Sequence, residues 1–268
     1  MRVSPSVNYR FIEGRWLLTL VLLAAVAWSL FFVPWNSDVV HSGGAAAALE
    51  ILRALFSPEL SPSFLLVAVE ASWKTISFAA AGITLAVAIG FPLGVVASGT
   101  LVSSPMKRWT SIAVVRLTLA VLRSVHELVW AWLLVLALGL SPIAAVLALG
   151  IPYGGILGRV FSEILNDVPE GPLRSLRSAG ASELKVLAYG RLPMALPQML
   201  SYAIYRFECG LRSAAILSFV GIAGLGYQVQ LSLDDLLYSE VWTLLLFLVG
   251  LVVLVDVWSG LVRKSLTT

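Results

Sequence analysis

The sequence predicts an all-α, polytopic membrane protein with six transmembrane helices. Three observations carry that reading. The 268 residues are 59% hydrophobic and only 12% charged, about half the charged fraction of an average soluble domain, which leaves too little polar surface to coat a globule. Uncharged runs of roughly 20 residues, long enough to cross a hydrocarbon core, recur along the chain. Basic residues gather in alternate connecting segments, the bias that fixes the orientation of membrane helices. The single Cys209 excludes an intramolecular disulfide. The net charge of +3 fits loop topology rather than nucleic-acid binding.

Trp16 to Ser37 contains no Asp, Glu, Lys or Arg and forms span one. Arg2, Arg10 and Arg15 flank it, and with no small-residue cleavage site it reads as an uncleaved anchor. Residues 45–57, with Leu49, Ile51, Leu52, Leu55 and Phe56, predict a short amphipathic helix on the outer membrane surface, ended by Pro58 and Pro62. Residues 1–65 thus make an N-terminal span plus linker, and residues 66–262 a core.

Span two covers about 67–98. Leu128 to Leu140 alone is too short to cross, so span three begins near Ile112, runs to 140, and carries Arg116, Arg123, His126 and Glu127 in or near the membrane. Gly139-Leu140-Ser141-Pro142 predicts a tight turn into span four, 142–162. Spans five and six cover 195–220 and 241–262. With both ends in the cytoplasm, the inner segments hold Arg2, Arg10, Arg15, Lys107, Arg108, Arg174, Arg177, Lys185, Arg191, Arg263 and Lys264. The outer ones hold Asp38, Glu50, Glu59, Asp234, Asp235 and Glu240, with Arg53 as the one cation before Glu70.

Gly82, Ala86, Gly90, Gly94 and Ser98 recur every four residues in span two, as do Gly150, Gly154 and Gly158 in span four. Small residues at this spacing let helix backbones approach closely in lipid. Pro92 and Pro152 predict kinks in the same helices.

Residues 166–193 form the one long polar stretch with a structured pattern. Leu173, Leu176 and Gly180 share a face of one short helix; Leu184, Leu187 and Ala188 share a face of a second. Gly180 permits a sharp bend, Ala181 or Ser182 starts the second helix, and Glu183 suits its first turn. Two short helices at an angle make a rigid knob.

From Gly180, nine residues lead to Gly190-Arg191-Leu192-Pro193. This spacing resembles the coupling loop of ABC-importer permeases, which reads Glu-Ala-Ala, three residues, Gly, nine residues, Ile, any residue, Leu-Pro. The chain matches at Gly180, Leu192 and Pro193, and departs where Arg174-Ser175-Leu176 replaces Glu-Ala-Ala and Gly190 replaces Ile. Four further runs resemble the subfamily that handles phosphonate, phosphite or phosphate: residues 124–131 (Ser-Val-His-Glu-Leu-Val-Trp-Ala), 168–172 (Val-Pro-Glu-Gly-Pro), 201–208 (Ser-Tyr-Ala-Ile-Tyr-Arg-Phe-Glu) and 220–226 (Val-Gly-Ile-Ala-Gly-Leu-Gly).

The resemblance covers roughly residues 66–262 and implies the type 1 importer fold. It also implies a second copy of the chain, two cytoplasmic ABC ATPase subunits on the coupling loops, and an extracytoplasmic substrate-binding protein. The chain has no Gly-x-x-x-x-Gly-Lys-Ser/Thr phosphate cradle. ATP and Mg are therefore expected on the partner ATPase, and no cofactor, metal or catalytic residue on this chain.

The expected coupling residues are Leu173, Leu176, Gly180, Ala181, Ser182, Leu184 and Leu187, with Leu173 and Leu184 as docking knobs. Arg123 and Glu127, four apart, are expected to pair along one face. With Arg206, Glu208 and Arg212 of span five they form either a network joining spans three and five or a path for an oxyanion. Gly221, Gly224 and Gly226 are expected to bend the outer end of span five, as a gate or binding-protein contact.

His126-Glu127 opens like a zinc motif, but Trp130 stands where its second His belongs. Asp256 falls near the inner interface with no assigned role. Two rival readings are a permease of the same architecture for another solute, such as an amino acid or other oxyanion, and a polytopic membrane enzyme. The latter lacks a nucleophile–base pair or metal cluster at a suitable spacing.

Overall fold

The computed structural model describes residues 10–32, 44–101 and 105–267, and among them every regular element is a helix. Residues 33–37 of the expected first span, together with Arg2 and Asp38, lie outside the described residues, as do the side chains of Arg10, Arg15, Lys107 and Arg108. The chain divides into two compact units, residues 1–52 and 53–268. The first unit holds α1 (Arg10–Phe32) and most of α2 (Gly44–Ala54).

The second unit begins with α3 (Pro62–Ser98), whose first turn tolerates Pro62 because an N–H there would have no intrahelical partner and its loss costs nothing. Gly99, at φ 67°, ends it by donating its N–H to Val96. α4 (Pro105–Ser124) and α5 (Glu127–Leu138) follow, then α6 (Pro142–Asn166). The expected turn between them is present: Gly139 has φ 76°, and the Ser141 hydroxyl accepts from the Ala144 N–H. α9 (Leu192–Leu217) and α11 (Tyr238–Thr267) correspond to the fifth and sixth expected spans.

Three described helices are long and apolar enough to cross a membrane, and five spans result if each of two bent pairs crosses once. The apolar stretch of α1 from Trp16 to Phe32 is shorter. Span three is not the continuous helix expected: α4 and α5 meet at an 84° break around Val125 and His126. The His126 side chain caps α5 by accepting from the Leu128 N–H, so helical hydrogen bonding restarts there. Pro92 and Pro152 lie within continuous helical segments.

The spine of the core is the α3–α6 contact, the most extensive between any two elements. Both small-residue stripes fall on it. A Cβ on Gly90 would stand 2.9 Å from the Gly154 carbonyl oxygen and the Gly158 nitrogen, and one on Gly94 would stand 2.9 Å from the Gly158 carbonyl oxygen. These neighbours are backbone and cannot rotate away. Gly82 faces the Leu149 side chain, and Gly150 faces Leu85. Around this spine one apolar cluster joins Ile83, Tyr153, Phe161 and Leu165 to Leu173, Val186, Leu187 and Met199. A second joins Ala79 and Leu149 to Ala131, Leu211 and Val255.

Replacing Gly90 or Gly94 with Ala is expected to destabilise the fold by about 1–3 kcal/mol through overpacking. Gly250→Ala, where a Cβ meets nothing within 4 Å, should be close to neutral. Thermal unfolding in detergent, followed by exposure of Cys209 to a thiol dye, checks the contrast.

Candidate functional site: a clamped hairpin and an intramembrane polar cluster

The polar hairpin begins with α7 (Glu170–Ser178). Gly180, at φ 80°, closes α7: the Ala181 N–H reaches back to the Leu176 carbonyl at 3.1 Å and the Gly180 N–H to Arg177 at 2.9 Å. This paired closure needs a left-handed residue, which glycine adopts without strain. Ser182 then starts α8 (Glu183–Val186), as expected. The second helix is not separate, however. It runs through a π turn, Leu187–Arg191, directly into α9.

Ion pairs lock the two arms. Arg177 donates to Glu170 at 3.0 Å and to both oxygens of Glu183 at 3.0 and 3.3 Å. Arg191, 6% exposed, donates to Glu170 at 2.8 Å and to the Leu165 carbonyl at the end of α6 at 2.8 Å. The Arg177 guanidinium, and then the charge of Arg191, hold the Glu170 carboxyl below its usual range. Glu183 and Glu170 in turn raise the pKa of Arg177.

The expected docking residues separate into two sets. Leu173 is fully buried and Leu187 is 8% exposed, so both anchor the hairpin to its own core, and Leu173 is not the outward knob expected. Leu176 is half-buried, and the Leu173 and Leu176 side chains close over Gly190, where a Cβ would stand 2.8 and 2.9 Å from them. That contact accounts for glycine in place of Ile. Leu184, 65% exposed, points outward as expected. Gly180 and Ser182 are exposed and Ala181 is half-buried. Tyr189, 77% exposed, joins the outer surface with Arg174 and Lys185. Sequence pattern missed Tyr189 because the π turn shifts it off the helical periodicity.

The intramembrane charges also sort differently from expectation. Arg123 and Glu127 do not pair: the helix break separates them, and Arg123 is exposed at the end of α4. Glu127 instead accepts from the Ser213 hydroxyl at 2.7 Å, and Ser213 lies 2.8 Å from the Tyr153 hydroxyl. Ser213 has one proton and gives it to Glu127, so Tyr153 donates to Ser213. This directed chain ties α5, α6 and α9 together.

Glu208, 8% exposed, accepts from Ser259 of α11 at 3.1 Å and from Arg212 at 3.3 Å, with Arg263 at 3.6 Å. It therefore joins span five to span six rather than to span three. Arg206 donates through Nε and Nη2 to the Tyr202 hydroxyl at 3.2 and 3.1 Å. The sequence offered Tyr202 one helical turn before Arg206, whereas the partners Ser213, Ser259 and Tyr153 are distant and leave no local signal.

The glycine run bends as expected. A short 3-10 turn, Ser218–Val220, ends at Gly221 with φ 93°, and α10 (Leu225–Asp234) begins at 41° to what precedes it. Gly224 and Gly226 are buried: a Cβ on Gly224 would stand 3.1 Å from the Thr75 hydroxyl, and one on Gly226 would overlap the Ala215 carbonyl. Thr75 secures the bend by accepting from the Leu225 N–H at 3.0 Å. These two glycines serve close packing and are not surface contacts.

Membrane-length apolar helices, a polar cluster within them and a stiff polar hairpin mark a multi-pass membrane protein. The chain belongs to the family of binding-protein-dependent transport system inner membrane components, whose model matches residues 90–268. It is a permease subunit of the type 1 ABC-importer fold.

The phosphite transport system permease protein PtxC of Stutzerimonas stutzeri is 35% identical over 71% of this chain and 68% of its own length. The putative phosphite transport system permease protein HtxC of the same organism is 30% identical over 90% of this chain and 82% of its own. An inward-facing structure of the MetNI methionine ABC transporter superposes with a TM-score of 0.68 at 21% identity, covering 78% of this chain and 100% of that one.

Arg191→Gln should leave the Leu165 carbonyl unbonded and cost about 1–3 kcal/mol, read as a lower midpoint of thermal unfolding in detergent. Because the folded Glu170 is depressed, its contribution is full above the ordinary carboxylate pKa of about 4.3 and is lost as pH falls through the depressed value. The stabilisation lost in Glu170→Gln, read as the difference in thermal unfolding midpoint from the native chain in detergent, should hold steady from about pH 8 to 5 and shrink only under stronger acid.

Proposed function

We propose that this chain, as a second copy pairs with it, forms the membrane channel of an ATP-driven importer for a phosphorus oxyanion: phosphonate, phosphite or phosphate. The observation that carries the reading is the clamped hairpin, whose buried Leu173 and Leu187 fix it to the core while Leu184 and Tyr189 face outward. Such a knob transmits force without bending. In this reading it hangs in the cytoplasm, where Arg174 and Lys185 accord with the positive-inside bias. Each of two cytoplasmic ATPase subunits, holding ATP and Mg, grips one hairpin. An extracytoplasmic binding protein delivers the anion, and both termini lie inside. The named transport roles of the phosphite permease relatives support the substrate class.

ATP binding draws the ATPases together. The hairpins move with them, and the membrane cavity switches from outward to inward opening. The alternative solute, an amino acid or a different oxyanion on the same architecture, is separated by growth of a deletion strain on each phosphorus compound as sole phosphorus source.

Leu184→Glu is expected to weaken ATPase docking by about 1–3 kcal/mol, as loss of an apolar interface anchor does. Uptake should fall while the permease still folds, which co-purification of the ATPase and transport in proteoliposomes together measure. Ser178→Cys, in a Cys209→Ser background, should resist an impermeant thiol reagent applied outside intact cells and react once the membrane is opened.

A further inference from the structure

Arg206 sits near the middle of α9 and is half-buried. Its guanidinium carbon lies 5.5, 5.7 and 5.9 Å from the ring centres of Tyr202, Tyr153 and Tyr205. Among the described residues no carboxylate lies within ion-pair distance of it. Glu208 is engaged by Arg212, Arg263 and Ser259, and Glu127 by Ser213. A charge at membrane depth is costly and faces a cavity or a partner rather than lipid. Tyr205, 40% exposed, marks the side on which the cage opens.

The donor count of the cage is lopsided. A guanidinium carries five N–H groups. Two donors of Arg206 are spent on the Tyr202 oxygen. Tyr202, having accepted both, keeps its own proton to give. The Tyr153 proton is committed to Ser213, and the Ser213 proton to Glu127. What remains is positive charge and unspent donors, without a competing acceptor. That is the complement of a tetrahedral oxyanion, whose oxygens take fork-like hydrogen bonds. A carboxylate partner would have neutralised the arginine. A phenol orients it and leaves its charge available, which suits brief occupancy.

We propose that Arg206 and Tyr202, walled by Tyr153 and Tyr205, form the station at which the oxyanion rests while crossing the membrane. This deepens the transport reading above and rests on it. Cys209, the chain's one cysteine, lies three residues along the same helix and is a native reporter. The test uses the whole complex in lipid nanodiscs and follows Cys209 modification by a small methanethiosulfonate reagent, read from the mass of this chain's peptide. Phosphite, phosphate and methylphosphonate are compared with chloride at equal ionic strength.

At least one phosphorus anion should slow the reaction several-fold and saturably. Arg206→Gln should abolish that protection, and Arg206→Lys, which keeps the charge but not the fork, should weaken it. In proteoliposomes fed by loaded binding protein, Arg206→Gln should lower uptake by about tenfold or more, the value of a lost charge-assisted hydrogen bond. The station is overturned by absence of protection in the native complex, by equal protection in Arg206→Gln, or by native uptake in that variant. Should Arg206→Gln fail to assemble, Tyr202→Phe takes its place: reduced protection supports the station and native protection overturns it. If the native complex accumulates none of the three anions, the transport reading itself falls. If it accumulates one and Arg206→Gln does so equally well, only the station falls.

Discussion

The backbone contact between α3 and α6 is the constraint from which the other features follow. Lipid offers no hydrophobic drive between apolar helices, so two long spans stay together through close packing. Gly90, Gly94, Gly154 and Gly158 let the two backbones touch. With α6 fixed in this way, its ends and middle become reference points. Tyr153, midway along it, begins the hydrogen-bonded chain through Ser213 to Glu127. Leu165, at its end, presents the carbonyl that Arg191 grips. The hairpin and the intramembrane cluster are therefore both mounted on one rigid body.

Charge is handled in two ways on that body. In the hairpin each buried or half-buried arginine meets a carboxylate: Arg177 meets Glu170 and Glu183, and Arg191 meets Glu170. These pairs neutralise the charges and stiffen the bend. Glu208 is likewise satisfied from three directions between α9 and α11. Arg206 differs, since phenols surround it in place of carboxylates. A structural arginine gains from neutralisation in low dielectric, whereas one that must accept and release an anion loses function by it. The contrast lies within one helix: Glu208 is paired with Arg212 and Arg263, while Arg206, two residues before it, faces phenols.

Much of the architecture was legible in the sequence because bilayers impose coarse rules. The Gly139–Pro142 turn, the small-residue stripes and the Gly180 bend each rest on local chemistry, and each is found in place. The break at Val125 and His126 was not legible as such. Charged residues inside span three were visible, but a continuous helix also explains them if they pair, and only the 84° bend removes that option. The burial of Leu173 was hidden for a related reason. A short amphipathic helix has one apolar face, and the pattern does not say whether that face meets its own core or a partner. Long-range partners such as Ser213 and Ser259 have no periodic signature at all.

The route by which hairpin movement would reach the membrane interior follows from continuity of helix. α8 passes through the π turn into α9 without a loop, so the outward Leu184 and the intramembrane Arg206 belong to one unbroken helical path. Arg191 to Arg206 spans about 22 Å at 1.5 Å per residue. A flexible linker would dissipate displacement over that distance, and a helix does not. The π turn has weaker axial packing than an α-turn and is a common seat of functional bending. It lies where Arg191 ties α9 to the end of α6. A push on the hairpin thus has two outcomes, set by whether that tie holds. While it holds, α6 and α9 move together and the Tyr153–Ser213–Glu127 chain is undisturbed. If it slips, α9 turns against α6, and the contacts that cross between the two helices change first: the Tyr153–Ser213 hydrogen bond and the Tyr153 ring beside Arg206.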